Sequence, residues 1–139
     1  MGLAEKRAIE AFKTNNFNQL KSEIESLTGF PVEFDITWDN FSSQLEGRSS
    51  PVETMTEYMT CMFFKPLINA FRSICVDDMG KTALKSLLKK VQMINTGNFY
   101  GDSGVSFESG VLKLDFYFAN ADDVATRETA IRTKIEAIL

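Results

Sequence analysis

Residues 103–118 have less conformational choice than any other part of this chain. Ser109-Gly110 stands between two runs in which apolar and polar residues alternate. That dipeptide suits a two-residue hairpin turn. Centring the turn there sets Phe107 opposite Leu112 and Val105 opposite Leu114, with Phe116 and Phe118 extending the apolar face. On the other face Ser106 meets Lys113 and Glu108 meets Val111. A slip of one residue would set apolar against polar, so the pairing has one acceptable register.

Residues 31–38 read as another strand, because Val32, Phe34, Ile36 and Trp38 alternate with polar residues. Period two puts the first set in the core and the second in water. Pro31 stands at the strand start, where proline is tolerated. Residues 91–96 read as a third strand, and 97–102 as a loop.

The remaining segments follow helical spacing. Residues 3–14 form an expected first helix, ended by Asn15-Asn16, a pair that favours caps and turns. A second helix is expected over 17–28, with Phe17, Leu20, Ile24 and Leu27 on one side and Gly29 at its end. The two together predict an αα-hairpin. Residues 39–50 are polar and read as a loop, with a short helical turn around Phe41 and Leu45. Ser50-Pro51 with Glu53 gives a strong helix start. Met55, Met59, Met62 and Phe63 continue that helix, and Pro66 predicts a kink near Phe64-Lys65. A strand over 54–64 stays open, since Thr, Tyr and Phe tolerate it. Asp77-Asp78 starts a further helix, and Asn120 starts the last one, with Val124, Ile131, Ile135 and Ile138 facing inward.

The resulting order is α-α-β-α(kinked at Pro66)-α-β-β-β-α. It predicts an α+β fold over residues 1–139 as one domain, with a small, mainly antiparallel sheet of about four strands packed against helices.

Composition narrows the chemistry. The chain of 139 residues contains no histidine. That excludes a Ser-His-Asp triad, a Cys-His dyad and the mixed zinc sites that need imidazole. Cys61 and Cys75 are 14 residues apart. On one helix that is about 21 Å, too far for a disulfide, so both read as small buried residues. The formal net charge of −4 argues against nucleic-acid binding, which draws on a basic face. The chain starts with early charges and no apolar signal core, and no run approaches roughly 18–20 apolar residues. The expectation is a cytoplasmic protein that does not enter a membrane.

Each candidate site also has a structural explanation. Asp77-Asp78 and Asp122-Asp123 sit at expected helix starts, where the helix dipole favours acids. Glu33, Asp35 and Asp39 lie on a strand face without calcium-loop spacing. Charge is unevenly placed. Residues 79–92 carry four lysines and no acid, whereas residues 23–57 carry eight acids against Arg48. Lys81, Lys85 and Lys89 at i, i+4 spacing predict a basic stripe able to orient a partner. The loop at 95–104 holds three glycines but lacks the endings of a phosphate loop. Its adjacent aromatics, Phe99 and Tyr100, are candidate contact residues. No pattern asks for a metal or a cofactor. Together these features predict a non-catalytic domain that binds a protein partner. The alternative is a small-molecule binder with an apolar pocket between the sheet and the kinked helix.

Overall fold

A computed structural model describes residues 2–99, 103–119 and 121–139. The chain begins with α1 (Leu3–Phe12), a π-helical turn (Lys13–Phe17) and α2 (Asn18–Thr28). Lys13 and Asn18 both keep right-handed helical dihedrals, so these are one continuous run and not the expected hairpin. Asn15-Asn16 is absorbed into the π turn. The reason lies in the rings on either side of it. Five residues along a regular helix would turn Phe17 about 140° away from Phe12. The wider i→i+5 turn draws the two back toward one face. Both rings then reach Phe64, at 6.1 Å and 5.9 Å, and Trp38, at 6.0 Å and 5.4 Å.

Gly29 ends α2 in the left-handed conformation, φ 83°, as its position predicts. Strand β1 (Glu33–Ile36) follows, then a 3₁₀ turn (Trp38–Phe41) and the short α3 (Ser42–Leu45), which is the helical turn expected at Phe41 and Leu45. A second long run comprises α4 (Pro51–Tyr58), another π turn (Met59–Phe64) and α5 (Lys65–Ile74). Residues 54–64 are therefore helical. The irregularity lies where Pro66 predicts it, but the helix widens instead of breaking. The proline ring crowds the carbonyl four residues back, and a π turn just before it makes room. The two runs lie side by side in the same direction, with α1 against α4 and α2 against α5.

Next come α6 (Asp78–Leu87), β2 (Lys90–Ile94), β3 (Val105–Glu108), β4 (Val111–Asp115) and α7 (Val124–Glu136). The four strands form one sheet in the order β1-β2-β4-β3. The fold is α+β, and the sheet is mixed. The β3–β4 hairpin is antiparallel in the register predicted, with Phe107 opposite Leu112 and Val105 opposite Leu114. However, β1 pairs parallel with β2, and β2 parallel with β4. This corrects the mainly antiparallel expectation. Parallel sheets are usually covered on both faces and read as unbroken apolar runs. Here the strands alternate, because Val91, Met93, Leu112 and Leu114 enter the core while Lys90, Gln92 and Lys113 stay partly exposed on the other face.

Two polar residues within the core tie down the chain where it leaves β2 and β4. Asp115, 2% exposed, accepts hydrogen bonds from the Thr96 amide at 3.0 Å and the Thr96 hydroxyl at 2.7 Å. A Cβ on Gly104 would strike the Asp115 carbonyl oxygen, so the glycine lets the loop close on β4. Arg127 is equally buried. It donates to the Ala119 carbonyl at 2.7 Å and the Asp123 carbonyl at 3.2 Å, and its guanidinium lies 5.3 Å from the Phe116 ring centre. It shares the inner stripe of α7 with Ile131 and Ile135. Ile138, expected to face inward, is 50% exposed because α7 ends at Glu136. Asn120, expected to start this helix, lies outside the described residues.

Candidate functional site

The sharpest surface feature is the corner between α5 and α6. The α5 helix ends at Ile74, and Asp77 caps α6 by accepting the Gly80 amide on Oδ1 at 2.8 Å. The cap was legible in the sequence, since Asp before a helical run satisfies free N-terminal amides. A Cβ on Gly80 would collide with the Ile74 carbonyl oxygen. Glycine there lets the start of α6 press against the end of α5, which leaves the connection little slack. Two apolar side chains project from this braced corner. Val76 is 74% exposed and Met79 is 80% exposed, the highest values among the exposed large hydrophobics.

Charges flank that pair. Asp77 and Asp78 belong to the corner itself, and Lys81 and Lys85 follow on α6. Lys81 is half-buried, with its stem near Gly29 at the end of α2. Its ammonium also acts on Cys75, which is buried beneath the corner. Burial pushes the Cys75 thiol up from its ordinary value, and Lys81 partly opposes that. A raised thiol is a poor nucleophile, and Cys75 has no imidazole to activate it.

The structure does not gather the five sequence-predicted contact residues into one site. Lys81 and Lys85 share α6, one helical turn apart. Lys89 lies past the end of that helix. The Gly110 carbonyl accepts the Lys89 amide at 2.8 Å and draws the chain into the sheet. The stripe is therefore two lysines on a helix and a third in the connection just before β2. Phe99 is half-buried and follows the opposite end of β2. The strand between them is itself about 16 Å long. Tyr100 lies outside the described residues. The exposure of Val76 and Met79 was not legible, because an apolar residue near a helix start reads as core.

Of the acidic candidates, Asp77 caps α6, whereas Asp123 stands at the start of α7 without a side-chain cap hydrogen bond. Asp35 pairs with Lys90 across the sheet at 3.6 Å. Among the described residues there is no group of three or more Cys, Asp or Glu side chains placed to hold a metal ion. Nor is there a helix long and apolar enough to cross a membrane. Met59, Met62, Phe63 and Phe64 of the bent helix are all at 0% exposure. Comparison with protein-family models, curated proteins and solved structures finds no match.

Proposed function

We propose that this protein is a non-catalytic binding domain that docks another protein at its α5–α6 corner. The observation that carries this reading is the exposed pair Val76 and Met79, held on a braced turn beside the basic face of α6. Interface energy concentrates in a few apolar anchors surrounded by polar contacts. Methionine suits that role because its flexible, polarisable side chain adapts to a partner's pocket. Lys81 and Lys85 lie farther along α6 than Asp77 and Asp78, so the partner fitted to this surface sets an apolar pocket over Val76 and Met79 and an adjoining acidic segment along the lysines. Two free cysteines fit a reducing compartment, in keeping with a cytoplasmic protein.

The test uses the purified protein as bait, alongside Val76→Ser/Met79→Ser and Lys81→Glu/Lys85→Glu variants. Quantitative mass spectrometry would follow the captured proteins at low and high salt. The expected result is one captured protein lost with both variants and weakened by salt, its cross-linked segment rich in Asp and Glu. A captured set that neither variant changes would overturn the proposal.

A further inference from the structure

The outer side of the paired helices carries a groove of about 260 Å³ between α2 and α5. It shares no residue with the α5–α6 corner. Leu20 of α2 and Ile68 of α5 supply apolar lining, Lys65 and Arg72 supply positive charge, and Glu23 of α2 supplies one negative charge. Lys65, Ile68, Asn69 and Arg72 follow i, i+3, i+4, i+7 spacing, so they lie along one face of α5. The two cations stand about 10 Å apart along the helix.

The π turn completes this wall. Thr60 also lines the groove, five residues before Lys65. On a regular helix that offset would turn Thr60 about 140° away. The i→i+5 turn over Met59–Phe64, followed by the bond from the Lys65 amide to the Thr60 carbonyl, brings Thr60 to the same side as Lys65. Pro66 explains why the helix widens. The groove is what the widening produces on the solvent side, and π turns recur at functional sites.

The cations have different partners. Arg72 Nη1 donates to Asn69 Oδ1 at 3.3 Å, and Arg72 Nη2 lies 3.8 Å from Glu23. Those contacts hold the guanidinium at one end. Lys65 has no acidic partner among the described residues. The groove therefore has one cation without an acidic partner, a threonine on the same wall and an apolar lining.

We infer that this groove binds a small anion with a short apolar body, its phosphate or carboxylate between Lys65 Nζ and the Thr60 hydroxyl and its body against Leu20 and Ile68. A cationic donor beside a hydroxyl satisfies an anionic oxygen with charge-assisted bonds. Adjacent apolar surface adds affinity that a bare ion cannot gain. The groove is open to water, so binding is weak and the body contributes much of the selectivity.

The test is a ¹⁵N–¹H chemical-shift titration of the full chain with phenyl phosphate, inorganic phosphate and benzyl alcohol as separate probes. The expected result is saturable shifts at residues 60–72 and 20–23, tighter for phenyl phosphate than for either other probe. Lys65→Ala should weaken phenyl phosphate roughly fivefold, the upper end for one exposed charge. Leu20→Gln should weaken phenyl phosphate but leave inorganic phosphate unchanged, and Lys134→Ala, at an exposed lysine of α7, should leave both unchanged. Equal weakening by Lys65→Ala and Lys134→Ala would show diffuse attraction and overturn the inference. Equal affinity for phenyl phosphate and inorganic phosphate, or the absence of saturable shifts, would overturn it as well.

Discussion

At the level of the two π turns the chain gathers five aromatic rings. Phe12, Phe17, Phe34, Trp38 and Phe64 lie 5.4–6.1 Å from one another in linked pairs. Further along the same helical run, at the α5–α6 corner, Val76 and Met79 point into water. The first region deforms two helices so that large rings meet at offset and edge-on angles, which aromatic pairs favour. The second uses a cap and a glycine to brace a turn whose apolar side chains touch little of the protein. Apolar surface therefore serves stability in one place and is left unused by the fold in the other. Substitutions in the two regions should separate cleanly.

The largest effect is expected for Phe64→Ala. Phe64 is 0% exposed and meets three of the other rings. Its removal should lower the unfolding free energy by about 3–5 kcal/mol, the usual range for a buried aromatic. Urea denaturation measures this directly. A loss under about 1 kcal/mol would mean that the ring cluster is not the keystone of the helix pair.

Gly80→Ala asks whether the corner is braced. The added Cβ meets the Ile74 carbonyl, which is backbone and cannot swing aside. Overpacking of this kind costs about 1–3 kcal/mol. A neutral outcome would show that α6 slides freely on the end of α5. Asp77→Ala should cost about 1 kcal/mol through loss of the cap to Gly80. Replacement by Asn should recover most of it, since Asn caps nearly as well.

These two regions were unequally legible in the sequence. A cap is a local feature, so Asp77 showed itself. The β3–β4 register showed itself for a similar reason, because turn and alternation lie within one short segment. The π turns did not. One extra residue in a helix looks like the end of one helix and the start of another, and Asn15-Asn16 strengthened that reading. Parallel pairing was hidden because alternation is the same for a strand paired either way. Arg127 was passed over although it stands in phase with Ile131 and Ile135, since charge argues for the surface until its partners are known. Of the expected basic row, Lys81 and Lys85 share α6. Lys89 left it because the Gly110 carbonyl, a long-range partner, ends the helix early.

A smaller effect concerns Cys75 beneath the corner. Its thiol is raised in the folded protein, chiefly by burial, so folding favours the protonated form. That contribution to stability is complete below the ordinary thiol value and is lost as pH rises from there through the raised value. Cys75→Ala should therefore flatten the decline in stability between those two values. In the native protein at pH 8, iodoacetamide should modify half-buried Cys61 before Cys75, as read by mass spectrometry. Lys81→Met should slow Cys75 further, because it removes the charge that opposes the rise.

The smallest effect on stability is expected at Met79, and it bears most on function. Met79→Ser removes apolar surface that water already covers, so unfolding free energy should stay within about 0.5 kcal/mol of the parent. A fold has no use for a methionine so exposed beside a close-packed glycine and a cap. If Met79→Ser proves neutral in urea and still abolishes capture of the partner, the corner is a surface kept for binding. If it destabilises by as much as Gly80→Ala, Met79 packs against the molecule in solution, and the contrast with the aromatic cluster fails.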